Sequence, residues 1–215
     1  NGLQVILPSI TKTIEIIHQK TSQQEDGKKS LRIYCWRGGM RSSAFAWLAR
    51  TIGLKTYLLK GGYKNYRKWV LNQFETDLPI RLIGGKTGTR KTDLLNQIKS
   101  KNIYVIDLEG LAKHRGSSFG SLGMEKQPTT QQFENILAES IDEFNTASNA
   151  REIWIEAESS NLGKCRIPKS LFNKMKQAPI LEIIKTKDER IDNLVSIYSQ
   201  NSQIELKEAV ERIRK

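Results

Sequence analysis

The sequence is poor in cysteine, with only Cys35 and Cys165 among 215 residues. Two cysteines are too few for a disulfide framework, which favours a reducing, cytoplasmic location. Cys165 lies between two basic residues that could lower its pKa, but it is interpreted as a loop cysteine without a role. No apolar run is long enough to span a membrane, and residues 1–8 lack the basic stretch of a secretory signal, so no membrane association or export is predicted.

Acidic residues are also scarce relative to basic ones. Asp and Glu total 23 against 35 Lys and Arg, which gives a formal net charge of +12 and a pI near 9.7. Such an excess predicts a polyanionic partner, most simply nucleic acid. A generally basic protein without that partner has the same composition, so charge alone leaves both interpretations open.

The first informative motif is a glycine- and arginine-rich loop around Cys35. An apolar run at residues 31–34 predicts a strand before the loop, and residues 43–50 predict a helix after it. The sequence between them is Tyr34-Cys35-Trp36-Arg37-Gly38-Gly39-Met40-Arg41-Ser42. Backbone N–H groups at a helix N-terminus bind anions and lower a thiol pKa, and nearby arginines add positive charge. Cys35 is therefore predicted to be a nucleophilic thiolate, within an anion loop formed by Arg37, Gly38, Gly39 and Arg41.

Two chemistries fit this loop. Cys35 and Arg41 have the Cys-x5-Arg spacing of phosphatases in which a thiolate attacks a phosphate. Such phosphatases usually carry His before the cysteine, where Tyr34 stands, and they need a carboxylic acid that the surrounding stretch does not supply. A rhodanese, whose cysteine carries a sulfur or heavier chalcogen, has neither requirement. The residues therefore favour rhodanese-like chemistry.

A second anion loop follows a predicted strand at residues 80–83. Residues 85–92 almost match the P-loop pattern G-x-x-x-x-G-K-[ST] and precede a predicted helix. The residues predicted to bind phosphate are Gly85, Lys86, Thr87, Gly88, Lys91 and Thr92. Arg90 replaces the second glycine of the pattern, so it either strains a position that needs positive φ or adds a charge to the phosphate. A basic turn without a ligand is the alternative to a phosphate site.

Acidic residues stand at the ends of two further predicted strands. Asp107 follows one strand and Glu156, with Glu158 close by, follows the other. Either strand end could order Mg²⁺ or a water molecule beside a bound phosphate, and the sequence leaves the metal open. A long loop rich in Gly and Ser is predicted at residues 109–130, and its part from Arg115 onward is rich in hydrogen-bond donors. Its candidates for ligand contact are Arg115, Ser117 and Ser118.

The order of predicted elements indicates an α/β fold with parallel sheets. Residues 1–75 contain two strands, three helices and a polar loop at 21–30. Phe45, Leu48 and Ala49 are predicted to face inward on the helix after the cysteine. Residues 76–215 contain the P-loop and a second set of alternating strands and helices, with a further loop predicted at 159–168.

Taken together, these motifs resemble the tRNA 2-selenouridine synthases. The residues that carry the resemblance are the cysteine motif at 35–42, the P-loop, the stretch 111–120 (LAKHRGSSFG) and the stretch 154–159 (WIEAES). The resemblance implies part of a rhodanese-like parallel sheet followed by a P-loop α/β domain. It also implies that early strands of the rhodanese domain are missing before Asn1, so that the chain is truncated.

The resemblance further implies a reaction and its substrates. The family replaces sulfur by selenium in wobble 2-thiouridine of tRNAs for Lys, Glu and Gln, through an S-geranylated intermediate. Selenophosphate from a supplying enzyme and geranyl diphosphate are the substrates, and no tightly bound cofactor is implied. Cys35 would be the catalytic cysteine, and the P-loop would bind diphosphate. The first candidates for contacts with tRNA are Lys60, Lys64, Arg67 and Lys68.

Two other functions remain compatible with the sequence. A nucleotide-dependent kinase or NTPase with a rhodanese-like module would also use a P-loop. A non-catalytic RNA-binding protein could retain a degraded P-loop, as the arginine at position 90 suggests.

Overall fold

The computed structural model describes residues 2–22, 30–99, 103–146, 151–199 and 203–214. The chain forms two compact units, Asn1–Trp69 and Val70–Lys215. The division falls inside a helix, whereas the sequence suggests a boundary after residue 75. Among the described residues, none of the helices combines the length and apolar character needed to cross a membrane.

The first unit contains a two-stranded parallel sheet. Its elements, with the helix that leads into the second unit, are α1 (Gly2–Ser22), β1 (Ser30–Ile33), α2 (Met40–Thr51), β2 (Lys55–Leu58) and α3 (Gly62–Gln73). Strands β1 and β2 pair in parallel, with Ile33 opposite Leu58. Parallel neighbours need a crossover, and α2 provides it. The predicted loop at 21–30 falls mostly outside the described residues.

Helix α2 buries small side chains instead of large ones. Its buried residues are Ser42, Ala46 and Ala49, which recur at the spacing of one helical face. The prediction that Phe45 faces inward is wrong, since 45% of this residue is exposed. Small side chains on the inner face allow the helix to lie close to the sheet, which leaves the bulky phenyl ring outside.

The second unit contains a four-stranded parallel sheet in the order β4-β5-β3-β8. Its elements are β3 (Ile80–Gly84), α4 (Lys91–Lys99), β4 (Tyr104–Ile106), α5 (Leu108–Ala112), α6 (Thr130–Thr146), β5 (Ile153–Glu156), β6 (Asn161–Leu162), β7 (Cys165–Arg166), α7 (Lys169–Gln177), β8 (Ile180–Glu182), α8 (Lys187–Tyr198) and α9 (Gln203–Arg214). The predicted α/β class with parallel sheets is confirmed. Buried aliphatic residues of β3 and β5 form the centre of this sheet, as continuous apolar strands of parallel sheets do.

The sheet register brings the two chemically important strand ends together. Strand β3 lies between β5 and β8, and Ile83 pairs with Glu156. The P-loop begins where β3 ends, and Glu156 is the last residue of β5. Ligands of open α/β sheets bind at this carboxyl edge, so the register places an acidic residue beside the anion loop.

Two segments predicted as loops contain regular structure. Helix α5 lies within the predicted loop at 109–130 because the carboxylate of Asp107 accepts a hydrogen bond from the Gly110 N–H at 2.7 Å and so caps its first turn. The predicted loop at 159–168 contains the antiparallel pair β6 and β7. Cys165 lies in β7 and is 1% exposed, and burial raises its pKa. The suggestion that flanking basic residues lower the pKa of Cys165 is therefore wrong.

Candidate active site

The P-loop of the second unit is a tight turn that requires glycine at two positions. Gly85 has φ +145°, and a Cβ there would lie 2.7 Å from the Thr89 Oγ1. Gly88 has φ +88°, and a Cβ there would lie 2.6 Å from the carbonyl oxygen of Arg190. The Thr89 hydroxyl donates to the Lys86 carbonyl at 2.8 Å, which closes the turn from inside. The loop therefore has a defined shape with its backbone close to the neighbouring segments.

Arg90 adopts the backbone conformation expected of the glycine that it replaces. Its φ is +64°, in the left-handed region that disfavours side chains. Its guanidinium forms an ion pair with Asp93 on the first turn of α4, and both side chains are about half exposed. The strained position that the sequence allowed is therefore observed, and the guanidinium is paired with Asp93. A contact between Arg90 and a bound phosphate stays a prediction.

Lys91 is held against the loop by two oxygens. Its Nζ donates to the Gly85 carbonyl at 3.2 Å and lies 3.7 Å from the Glu158 Oε1. The side chains of Lys91 and Glu158 are 14% and 8% exposed. A buried cation beside backbone N–H groups is an arrangement that suits a phosphate or diphosphate, with Glu158 as its counterion while no anion is bound.

Thr92 connects the P-loop to two buried carboxylates. Its hydroxyl lies 2.7 Å from the Glu156 Oε1 and 3.0 Å from the Glu109 Oε2. The Glu109 N–H also donates to the Glu156 carboxylate at 3.2 Å. Glu109 is absent from the sequence-based candidates because it was assigned to a loop. Its position two residues after a strand-end aspartate is the signal that could have indicated it.

Burial and mutual repulsion raise the pKa values of these carboxyl groups. For Glu156, burial and then the charges of Glu109 and Asp107 raise the pKa to about 8. For Glu109, burial and then the charge of Glu158 raise the pKa to about 7. Burial also raises the pKa of Glu158. The cluster is thus able to hold or release protons near neutral pH, a property typical of functional sites.

The hydroxyl of Thr92 and the carboxylate of Glu156 are oxygen donors of the kind that Mg²⁺ prefers. Within the ranges that the structure describes, no group of three or more His, Cys, Asp or Glu side chains is positioned to hold a metal ion. Asp107 lies at the same edge, but its carboxylate caps α5. The predicted Mg²⁺ site stays a prediction.

A cleft of about 590 Å³ opens over the P-loop. It is lined by the whole loop, by the acidic residues Glu109 and Glu158, and by Arg115. The Arg115 guanidinium donates to the Leu122 carbonyl at 2.7 Å and lies 5.7 Å from the centre of the Tyr198 ring. Of the predicted loop residues, Arg115 therefore forms part of the cleft wall.

A second cavity of about 760 Å³, with a mostly apolar lining, adjoins this cleft. The two cavities share the lining residues Thr87, Gly116, Leu194 and Tyr198. The rest of the second lining comes from the loop after Gly116 and from α8 and α9, and includes Ser117, Ser118, Phe119, Val195, Leu206 and Val210. Sequence reasoning missed this cavity because no local motif marks it.

In the first unit, Cys35 lies in a turn that stabilises its thiolate. The Gly39 N–H donates to the Cys35 Sγ at 3.3 Å, and the Ser42 Oγ lies 3.4 Å from the same sulfur. The hydrogen bond with Ser42, followed by that from Gly39, lowers the pKa of Cys35 to about 6. The sequence predicted a pKa lowered by backbone N–H groups, with a further contribution from the charges of Arg37 and Arg41. The hydrogen bond from the Gly39 N–H agrees with the first part of this prediction, whereas the largest effect comes from the Ser42 side chain, which was not predicted.

The turn around Cys35, residues 35–39, is here called the cysteine loop. It is joined to the start of α3: the Tyr63 N–H donates to the Cys35 carbonyl, and the Lys64 N–H donates to the Trp36 carbonyl, both at 2.9 Å. A Cβ on Gly62 would lie 2.3 Å from the carbonyl oxygen of Cys35, so this approach requires glycine. The predicted RNA contacts Lys60, Lys64 and Lys68 are exposed beside this junction, and Arg67 is half-buried.

Comparison with known proteins is consistent with the motifs. The family model of the tRNA 2-selenouridine synthase AAA domain matches residues 78–214. A tRNA 2-selenouridine synthase of Marinobacter nauticus is 36% identical over 162 residues, which cover 74% of this chain and 42% of that protein. Those of Alcanivorax borkumensis and Sulfurovum sp. are 37% and 36% identical, over 77% and 82% of this chain and 45% and 48% of their own lengths.

The chain thus spans less than half the length of these curated relatives. The family model alone covers well over half of the chain and includes the P-loop, the buried carboxylates and the apolar cavity. The chain belongs to the tRNA 2-selenouridine synthase family.

Proposed function

We propose that the chain acts in a tRNA-modifying transferase that replaces sulfur by selenium in wobble 2-thiouridine. The names of its relatives support the reaction, and two anion sites of different chemistry support a multi-step transfer. In the proposed sequence, the sulfur of 2-thiouridine attacks C1 of geranyl diphosphate, the C1–O bond breaks and diphosphate leaves. Selenophosphate, made by a supplying enzyme, then provides the selenium: a C2–Se bond forms, geranylthiol leaves from C2, and hydrolysis of the Se–P bond releases phosphate.

The observation that carries the geranyl diphosphate step is the shared wall between the P-loop cleft and the apolar cavity. A prenyl diphosphate has a polyanionic head and a hydrocarbon tail, and the two adjoining cavities match these two parts in polarity. The backbone N–H groups of residues 85–92 and the Lys91 ammonium would bind the diphosphate. Leu194 and Tyr198, which line both cavities, would lie where the head joins the tail.

Lys91 and Glu158 would change partners when the diphosphate binds. The lysine is paired with Glu158 across 3.7 Å, and an incoming diphosphate is the stronger anion. The raised pKa of Glu158 allows this carboxylate to take up a proton once the lysine charge is directed to the ligand. Mg²⁺ at Thr92 and Glu156 would supply further neutralisation of the leaving group.

Cys35 is the proposed nucleophile: its thiolate would displace geranylthiol from C2, and the selenium would then displace the thiolate. A thiol with a pKa of about 6 is mostly thiolate at neutral pH, and the cysteine loop can bind an anionic group.

The role of Cys35 is tested by mass spectrometry of tRNA nucleosides from cells whose full-length gene carries a substitution of this cysteine. We expect Cys35→Ser and Cys35→Ala to abolish 2-selenouridine and to leave tRNA binding intact. Cys165→Ser is the control and should retain activity, because Cys165 is buried in a hairpin of the other unit. Wild-type levels of 2-selenouridine in a Cys35 variant would exclude the role.

The alternative functions are tested at the P-loop by calorimetry. We expect geranyl diphosphate to bind the wild-type chain, and Lys91→Ala to weaken it about ten- to a hundredfold, since a charge-assisted contact contributes about 1.5–3 kcal/mol. Tight ATP binding without geranyl diphosphate binding would instead favour the kinase or NTPase. Binding of neither ligand, together with unimpaired tRNA binding, would favour the non-catalytic RNA-binding protein.

A further inference from the structure

A row of aromatic side chains begins at the cysteine loop and continues along α3. The ring of Tyr63 lies 6.0 Å from that of Tyr34 and 5.8 Å from that of Trp36, measured between centroids. Tyr66 lies 5.7 Å from Tyr63, and Trp69 lies 5.5 Å from Tyr66. These five residues are here called the aromatic row. Its first two members are the neighbours of the catalytic cysteine in the chain.

The position of the row follows from backbone structure. Residues 63, 66 and 69 are three apart on α3, so they share one side of the helix. The two hydrogen bonds from the start of α3 to the cysteine loop, each 2.9 Å, fix the row next to the thiolate. Any planar group that stacks at the start of the row therefore lies within reach of the Cys35 region.

The start of the row is open to solvent. Tyr34 is 60% exposed and Trp36 is 51% exposed. Packing within the unit does not account for large rings that keep half of their surface in water, whereas exposed aromatic faces are typical of binding surfaces. An exposed ring presents a flat apolar face on which another flat group can stack.

The segment that carries most of the aromatic row is positively charged, which favours a polyanionic ligand. Residues 30–74 contain nine Lys or Arg and no Asp or Glu. Lys64 and Lys68 are exposed on the helix that carries the row. A surface that combines aromatic faces with positive charge matches a chain of bases joined by phosphates. In a helical stem the bases stack on one another, so their flat faces are not accessible to aromatic side chains. The ligand that fits this surface is therefore an unpaired RNA segment.

We propose that the aromatic row and its lysines form a binding surface for single-stranded RNA. Unpaired bases stack on Trp36 and the adjoining rings, while Lys64 and Lys68 contact phosphates. This inference rests on the proposed function in taking RNA as the substrate. It adds that an unpaired loop is recognised by stacking, which would bring its bases to Cys35.

The test compares an RNA with a polyanion that has no bases. Seven-nucleotide oligouridylate and inorganic polyphosphate are each titrated into the full chain and its variants by calorimetry. Trp36→Ala should weaken oligouridylate binding about five- to a hundredfold, in line with the loss of one base–aromatic stack, and should leave polyphosphate binding unchanged. Trp36→Phe should retain most of the affinity because it keeps a ring. The combined change Lys64→Ala and Lys68→Ala should weaken the binding of both probes.

Trp47→Ala is the matched control. Trp47 is 68% exposed on α2 and outside the aromatic row, so its loss should not affect either probe. Trp36→Leu keeps apolar bulk without a ring, and it replaces Trp36→Ala if the alanine variant fails to fold. The proposal is overturned if the Trp36 and Trp47 variants bind oligouridylate with equal affinity. It is also overturned if the Trp36 variant loses affinity for oligouridylate and polyphosphate to the same extent.

The outcomes also separate this inference from the proposed function. If the wild-type chain modifies tRNA but the Trp36 variants bind oligouridylate normally, the aromatic row is not the RNA surface and the transferase function stands. If oligouridylate binding depends on Trp36 but the full-length protein forms no 2-selenouridine, the RNA surface stands and the transferase function fails.

Discussion

Cys35 in the cysteine loop faces Ser42 on the first turn of α2, with 3.4 Å between the sulfur and the hydroxyl oxygen. The same hydroxyl lies 2.9 Å from the Gly39 carbonyl, so its position is held from both sides. Ser42 is 3% exposed although most residues near it face solvent. A buried hydroxyl placed against the thiol is the largest cause of the lowered pKa of Cys35.

Replacing Ser42 by alanine should raise the pKa of Cys35 from about 6 toward its ordinary value of 9.0, because the largest stabilising interaction of the thiolate is removed. The rate of alkylation by iodoacetamide follows the thiolate fraction. The midpoint of the curve of alkylation rate against pH should therefore lie at a higher pH in Ser42→Ala than in the wild type. Ser43→Ala, at an exposed neighbouring position, is the control and should leave the midpoint unchanged. A larger shift in Arg41→Ala than in Ser42→Ala would restore the arginine explanation.

The backbone conformation of Arg90 lowers the free energy of unfolding. A side chain at φ +64° costs about 1–2 kcal/mol relative to glycine, and its exposed ion pair with Asp93 returns at most about 1 kcal/mol. We expect Arg90→Gly to raise the free energy of unfolding by about 0.5–1 kcal/mol in urea denaturation and to tighten geranyl diphosphate binding in calorimetry. Arg90→Lys, which keeps the strained backbone and the charge, is the control. Weaker binding in the glycine variant would show that the arginine contacts the ligand.

At the scale of elements, the ends of β3 and β5 determine the chemistry of the P-loop. Parallel pairing aligns Ile83 with Glu156, and the helix that begins after Asp107 brings Glu109 to the same point. Three glutamates then share one buried region with the Lys91 ammonium. Because burial penalises their charged forms, the glutamates beside the P-loop have raised pKa values and can hold protons near neutral pH.

This arrangement predicts a pH-dependent stability. The folded pKa of Glu156 is about 8 against an ordinary 4.5, so the folded chain binds more protons than the unfolded chain between these values. The free energy of unfolding should therefore fall as pH rises through this window. Glu156→Gln resembles the protonated carboxyl and should flatten the fall in melting temperature between pH 6 and about 8.5. Glu125→Gln, at a side chain that is 81% exposed, should leave the curve unchanged. An unaltered slope in Glu156→Gln would exclude this carboxyl as the cause.

At the scale of the whole molecule, each unit carries one loop predicted to bind an anion, and the chain carries a net charge of +12. Residues 30–74, which include the cysteine loop, contain nine Lys or Arg and no acidic residue. Long-range attraction of this kind raises the affinity for any nucleic acid and disappears as salt screens it.

Binding of tRNA to the full chain should therefore weaken steeply with salt. The combined change Lys64→Ala and Lys68→Ala removes up to two phosphate contacts, so the slope of log K against log salt should become shallower by about 1.4–1.8. Filter binding between about 50 and 200 mM salt measures this slope. Lys126→Ala with Lys169→Ala, two exposed lysines of the second unit, is the charge-matched control. A flat salt response of the wild type would exclude phosphate-dominated binding.

Local patterns in the sequence determined the elements and both anion loops. The apolar runs at β1 and β3, the glycine-rich turns and the following helices depend on residues close in the chain, so periodicity and turn chemistry were sufficient to predict them. The α/β class followed from the order of these elements. Helix α5 and the hairpin of β6 and β7 were missed because short elements depend on a cap or a single turn within an otherwise polar stretch.

The tertiary structure decided what surrounds the two loops. The Thr92 hydroxyl contacts the Glu156 carboxylate, although the two residues are 64 positions apart in the chain. The apolar cavity is lined by residues as distant in sequence as Thr87 and Val210. The burial that raises the glutamate pKa values exists only once the sheet and its helices have packed. The aromatic row likewise needed α3 to dock on the cysteine loop. Sequence alone therefore determined which groups can bind anions, and long-range packing decided their protonation, their neighbours and the surfaces available to a substrate, because these properties depend on contacts between distant residues.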